Sequence, residues 1–219
     1  MVLRRPIGLT LVLAVCAASS PSLRAMADAS GDTPYTLSYE QKLSAARAEF
    51  FADLNGDHGA DEAAHRDFSA LSAERPGDPV ILAYLGSLDL LEAGRTWAIW
   101  NKRALSQRGL TKLDTAVKTA PGNLEARFIR GASTWHLPSL FHRREQAESD
   151  FAYIAPQAEE AARNGTLPPQ LAAAALDYYG QVLEDHSDSE GAKRWFAAAV
   201  RVDKLSPGGK DALKHLQSE

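Results

Sequence analysis

One spacing recurs along this chain and limits what it can fold into. It runs small residue, three others, bulky apolar residue, two others, apolar residue, then a proline. Ala64, Phe68, Leu71 and Pro76 set the pattern, and Gly109, Leu113, Ala116 and Pro121 repeat it. Ala147, Phe151 and Ile154 follow with the proline displaced to Pro156, and Ala192, Phe196 and Ala199 with Pro207 late. Spacings of three and four residues put these side chains on one face of a helix. Each run is preceded by a partner: Leu82-x-x-Leu85-Gly86 and Leu176-x-x-Tyr179-Gly180 match each other, Gly131 sits in a third such run, and Phe51-Ala52 is a weaker version. A Gly or Ala in the first helix lets the small residue of the second approach closely, the bulky residue fills the space between pairs, and proline stops the pair. One pair alone leaves an apolar face wet, so neighbouring pairs must stack.

The boundaries fit a helical chain throughout. Ser38 and Gln41 make a capping-box pattern, after which Leu43, Ala46, Phe50 and Leu54 recur at helical spacing until the loop from Asn55 to Gly59. The apolar run from Val80 to Gly86 could pass for a buried strand, but it continues through Leu88, Leu90 and Leu91 to Gly94, a length that favours helix. Thr96 to Ala120 reads as one long helix or two broken near Gly109, and its Trp97, Trp100 and Leu105 need somewhere to pack. Asn164-Gly165 marks a helix end, Pro168-Pro169 a start, and Ser206-Pro207 opens a short last helix to Gln217. No segment alternates with the period of a half-buried strand, so the expected class is all-α.

The paired pattern resembles the tetratricopeptide-repeat (TPR) superfamily over about residues 45 to 206, clear in pieces and degenerate as a whole. That resemblance implies a right-handed α-solenoid of about four helical hairpins plus a short C-terminal helix, with first helices lining a concave surface. Between Gly86 and Gly109 there are about eleven residues more than a repeat of roughly 34 allows, and about four more between Gly131 and Ala147. The run Leu137-Pro138-x-x-Phe141-x-Arg143-Arg144 also resembles bacterial exported TPR-like proteins, which generally lack a defined activity.

The N-terminus reads as a cleavable signal peptide over residues 1–27. Arg4 and Arg5 precede an apolar run from Ile7 to Ala18 too short to span a bilayer comfortably, and Ala25-Met26-Ala27 supplies a small-x-small cleavage site. Lipoprotein processing at Cys16 is the competing reading, with Val15 where a small residue is wanted. Residues 28–36 read as a disordered lead-in, and 37–219 as the repeat domain. Cleavage after Ala27 removes the single cysteine, leaving neither disulfide nor thiolate chemistry, and places the product in the periplasm with no stable transmembrane segment. Losing Arg4, Arg5 and Arg24 takes the basic count from 24 to 21 against 28 acidic residues, a net charge of −7 that does not favour nucleic acid.

Several groups stand out as possible sites. Arg127 and Arg130 lie one turn apart where the earlier pair has Leu82 and Leu85. Buried guanidiniums need partners, so they read either as an anion or peptide-carboxylate clamp or as a structural pair with Asp114, Glu148 or Asp150. The stretch holding Trp135, His136, Phe141, His142, Arg143 and Arg144 mixes aromatics, imidazoles and guanidiniums in a loop fixed by Pro138, which suits a partner-binding surface. The opposing reading has Trp135, Leu140 and Phe141 capping the core while Arg143 and Arg144 are solvated. Asp177, Gln181 and Glu184 share one helix face and would line the groove wall or simply be solvated.

Other patterns fail. Asp53-x-Asn55-Gly56-Asp57 opens like a calcium loop, but His58 replaces the required glycine and Ala64 the closing carboxylate, so it reads as an acidic turn. Glu62 and His65 lack the second such pair of a di-iron site. HExxH, GxSxG and GxxxxGK[ST] are missing. The expected function is therefore a non-catalytic exported scaffold or adaptor for a protein or peptide, with no cofactor or metal. The alternative is a periplasmic small-anion-binding or transport-accessory protein using Arg127 and Arg130.

Overall fold

A computed structural model of the protein describes residues 37–57 and 59–218. The signal peptide, Cys16, the lead-in and His58 lie outside the described residues. Within them the chain is all-helical, with no strand. In order, the helices are α1 (Tyr39–Leu54), α2 (Ala60–Glu74), α3 (Pro79–Arg95), α4 (Ile99–Thr119), α5 (Leu124–Thr134), α6 (Arg144–Asn164), α7 (Pro169–Asp185), α8 (Ser189–Asp203) and α9 (Pro207–Gln217). A 3₁₀ turn, Ser139–Phe141, stands between α5 and α6.

Local chemistry starts and stops these helices. Ser38 accepts from the Gln41 amide while the Gln41 side chain accepts from the Ser38 amide, the reciprocal box expected at the start of α1. Asp78, Asn123, Asp188 and Ser206 cap α3, α5, α8 and α9 through their side-chain oxygens, with proline in the first turn of α3 and α9. Gly165, at φ 77°, closes α6 in the left-handed conformation that glycine adopts without steric cost.

Consecutive helices pack as α1 on α2, α3 on α4, α5 on α6 and α7 on α8, while the odd helices also meet in a row, α3 with α5, α5 with α7 and α7 with α9. The recurring side chains of the even helices form the core: Ala64, Phe68, Leu71, Leu113, Ala116, Ala147, Phe151, Ile154, Ala192, Phe196 and Ala199 are each at most 1% exposed. The close approach is realised where α3 crosses α4. A Cβ on Gly86 would stand 2.8 Å from the Gly109 carbonyl oxygen, and one on Gly109 would stand 2.6 Å from that of Gly86. At the two later crossings the Phe151 ring covers Gly131 and the Phe196 ring covers Gly180.

One open reading is decided and two expectations need correction. Thr96 to Ala120 holds one helix, α4, running unbroken through Gly109, because that glycine is used for contact and not for a turn. Trp97 and Trp100 stay outside the core, 86% and 70% exposed, whereas Leu105 is buried. Pro156 does not stop the third pair: it sits inside α6, whose apolar stripe continues through buried Ala158 and Ala161. Proline there removes one helical hydrogen bond, and packing of that continued stripe outweighs the loss. The surplus residues have places too. The longer surplus lengthens α3 and α4, so Trp97, Ile99 and Trp100 overhang at the start of α4; the shorter one is the 3₁₀ turn that holds Leu140 out, 71% exposed.

Candidate partner-binding site

The two departures from repeat length converge on one place. A cavity of about 440 Å³ opens between the C-terminal ends of α3 and α5, the start of α4 and the loop after α5. Leu90 and Leu91 supply apolar wall, Ser87 and Ser133 hydroxyls, Asp53 at the end of α1 with Arg95 and Lys102 charged groups, and Leu137, Pro138 and Phe141 the loop side. The Ser133 hydroxyl donates to Ser87 Oγ at 2.8 Å, so these buried hydroxyls satisfy each other. Lys102, Ser106 and Phe141 also line an adjoining groove, whose far wall is Ile99, Arg103 and Leu140. Cavity and groove are therefore continuous across a shared rim. Exposed Ile99 and Leu140 line the groove, and exposed Trp100 lies beside Ile99 and Arg103 with its ring edge to face against that of Trp97 at 6.2 Å. Among the described residues, no carboxylate pairs with Lys102 or Arg103.

The residues singled out in the 135–144 stretch divide between this site and the core. His136 and Phe141 line the cavity, and Arg143 lines the groove while donating to Asp114 at 2.8 Å. Burial, followed by the charge of Arg144, lowers the pKa of His136 and favours the neutral ring. Trp135 is 3% exposed and packs edge-on against Phe151 and Tyr178. Arg144 lies over the Trp135 ring at 3.1 Å and pairs with Glu148 and Asp185. His142 is exposed and takes a left-handed φ of 51° at the end of the 3₁₀ turn. The reading of Trp135 as a core cap thus fits its surroundings, while Leu140 is turned outward and Phe141 half-buried.

Arg127 and Arg130 are committed to structure. Both reach Asp150, which is fully buried, with Arg127 Nη1 at 2.7 Å and Arg130 Nε and Nη2 at 2.7 and 2.8 Å. Arg127 also donates to the Pro121 carbonyl at 2.6 Å and covers the Tyr153 ring. Asp53, the first residue of the calcium-like run, is likewise held by Arg95 at 2.8 Å.

This clamping is general, with one exception. Among the described residues five carboxylates are buried: Asp53, Asp89, Glu125, Asp150 and Asp177. Arg95 holds the first, Arg108 and Lys112 the second, Arg47 the third and the arginine pair the fourth. Asp177 instead accepts only from the neutral Gln181 amide, at 2.9 Å, and its Oδ1 is buried without a hydrogen-bond partner. Burial, with the carboxylates of Asp211 and Glu184 adding to it, pushes its pKa up to about 8 against the opposing Gln181 and Lys214. Asp177 therefore lies beneath α9 and not on an open groove wall, and Gln181 is spent on it.

Compared with protein-family models, curated proteins and solved structures, the chain matches none. The cavity, its overhanging aromatics and its basic rim were not collected as one site by sequence reasoning. The available signal was the coincidence of two length anomalies, since each surplus had to leave side chains beyond the reach of the regular packing.

Proposed function

We propose that this chain is an exported, TPR-like α-solenoid of four helical pairs with α9 as its terminal cap, and that it binds a segment of a protein partner without performing chemistry on it. The observation that carries the reading is the largely apolar cavity continuous with a groove edged by exposed Ile99 and Leu140, with Trp100 and Trp97 beside Ile99 at the start of α4. A bulky apolar side chain of the partner would fill the space beside Leu90, Leu91 and Phe141, and acidic neighbours would face Lys102 and Arg103. Large aromatic and cationic side chains around a desolvated pocket are the composition of an interface hot spot. Rigid helix ends hold the rim in place, which lowers the entropic cost of binding. The repeated register, with its glycine crossings and buried Phe or Leu, supports the solenoid reading.

The small-anion alternative gains nothing at Arg127 and Arg130, because both guanidiniums are already engaged by Asp150. Selection of displayed random peptides on the purified chain tests the proposal. Recovered sequences should combine a bulky apolar residue with nearby Asp or Glu, and Phe141→Ala or Lys102→Glu/Arg103→Glu should weaken them at least about tenfold, a loss of roughly 1.4 kcal/mol. Failure to select any peptide, or equal binding by both variants, would sink it. Trp135→Ala is a poor probe here, since that ring belongs to the core.

A further inference from the structure

We propose that Asp177 of α7 and Asp211 and His215 of α9 form a divalent-cation site of the zinc type that ties the last helix to the body of the protein. One carboxylate oxygen from each aspartate and one ring nitrogen of His215 all lie within 4.8 Å of one another. Asp211 and His215 are four apart on α9, so successive turns present both to α7. A tetrahedral zinc ion with ligands at about 2.0–2.1 Å spaces them roughly 3.4 Å apart. Asp211 and His215 are only partly buried, so they can close that difference by side-chain movement.

Two further observations point to a bound cation. The Asp177 side chain is 4% exposed, its Oδ2 is taken by Gln181, and its Oδ1 is left buried with no donor. An orphaned carboxylate oxygen at this depth is costly unless a positive charge meets it. Moreover, it is the one buried carboxylate among the described residues that no arginine or lysine clamps. Counting three residues back from the crossing glycines gives Ala83 before Gly86, Phe128 before Gly131 and Asp177 before Gly180. The first two are fully buried apolar residues, so the aspartate departs from the core pattern at the point where α9 packs on α7.

The surroundings are suited to a metal. Glu184 Oε2 lies 3.0 Å from His215 Nδ1, and the ring stacks on Phe196 at 4.5 Å, which together fix its orientation. A carboxylate beside a ligating imidazole is the usual outer support of zinc sites. Lys214 lies 2.8 Å from Asp211 and competes for it, but this side chain is 74% exposed and free to swing into solvent. The mixed imidazole and carboxylate set favours zinc-like ions over calcium or magnesium, which take oxygen ligands alone. Three protein ligands leave a fourth position for water.

Calorimetric titration of tag-free, chelator-treated protein with zinc chloride tests the site. One ion should bind per chain with a Kd of about 10 µM or tighter. A hundredfold excess over that Kd should raise the melting temperature by roughly 5–10 °C. Asp177→Asn and His215→Ala should each weaken binding at least tenfold, while His186→Ala, placed against Glu148 on another face, should leave it unchanged. Metal-free melting checks that the variants fold; Asp177→Asn removes a carboxyl that burial disfavours and whose Oδ1 has no partner, and should melt no lower than the parent. No saturable binding, or undiminished binding by Asp177→Asn, would overturn the proposal. Tighter binding of calcium or magnesium than of zinc would overturn the assignment of the ion.

Discussion

Replacing Asp150 by Asn should destabilise the protein more than any surface change. Asp150 is fully buried, and the two guanidiniums it holds are only 15% and 12% exposed. Asn keeps the shape and one acceptor but removes the charge, leaving two cations with Asp114, 3.6 Å from Arg130, as the nearest remaining carboxylate. Breaking a buried pair by removing one partner costs about 3–5 kcal/mol. For a domain of this size each kcal/mol lowers the melting temperature by about 2–4 °C, so the expected drop is roughly 6–20 °C. Thermal unfolding followed by circular dichroism reads it directly. The triple variant Arg127→Leu/Arg130→Leu/Asp150→Leu should recover most of the loss, because an apolar replacement of the whole cluster removes the desolvation cost with the attraction. Its two arginine positions then match Leu82 and Leu85 of the preceding pair. A drop below about 3 °C for Asp150→Asn, corresponding to roughly 1 kcal/mol, would refute the structural role and return the arginine pair to the list of ligand clamps.

Gly180→Ala should lower the melting temperature markedly, because its Cβ would overlap the Phe196 ring, whereas Gly94→Ala, with nothing within 4 Å, should add about 0.5–1 kcal/mol of helix stability. Differential scanning calorimetry of the two variants would separate contact from propensity, and equal effects would contradict the crossing geometry. Alkaline titration at 295 nm should show delayed ionisation of Tyr39 and Tyr84. Burial, then the hydrogen bond to Asp78, raises the Tyr39 pKa to about 12, and burial foremost raises Tyr84 well above the ordinary tyrosine value. The folded state thus holds protons that the unfolded state releases near pH 10, so stability should be constant below that pH and fall as it rises toward 12. Iodide should quench Trp97 and Trp100 fluorescence but leave Trp135 protected, as read from single-tryptophan variants; a protected Trp100 would mean that the overhang folds back.

The helical pairs were legible because their signal is local and repeated. Ala64-x-x-x-Phe68-x-x-Leu71 and its later copies need only the period of a helix to be recognised, and their burial follows from that period. Proline was a less faithful marker. Pro76 and Pro121 follow the ends of α2 and α4, yet Pro156 lies within α6, since its cost of one hydrogen bond and some strain is smaller than the burial gained by Ala158 and Ala161. Pairing partners were less legible still. The sequence offered Asp114, Glu148 and Asp150 for the arginine pair, and only side-chain reach across α5 and α6 selects Asp150 as the shared anchor.

What sequence periodicity could not convey is the consequence of its own interruptions. A surplus of residues in a stacked array leaves the stacking intact and pushes the extra length outward, so apolar side chains on that length lose their neighbours. Trp97, Ile99 and Trp100 are exposed for this reason, and Leu140 for the same reason one pair later. Exposed large apolar residues scattered singly need no explanation, but Trp97, Ile99 and Trp100 cluster at the start of α4 and Ile99 shares a groove with Leu140, a grouping that on the proposed reading would meet a partner. The two interruptions belong to adjacent pairs, and the row of odd helices brings the C-terminal ends of α3 and α5 together. Their overhangs must then meet at the same edge, where Lys102 and Phe141 share a wall. Asp177 is the converse case, an interruption of residue type where the length is regular, with Ala192 twelve positions after Gly180. It consequently leaves a carboxyl oxygen without a partner inside the fold and not an apolar patch outside it, which is why different occupants are proposed for the two features.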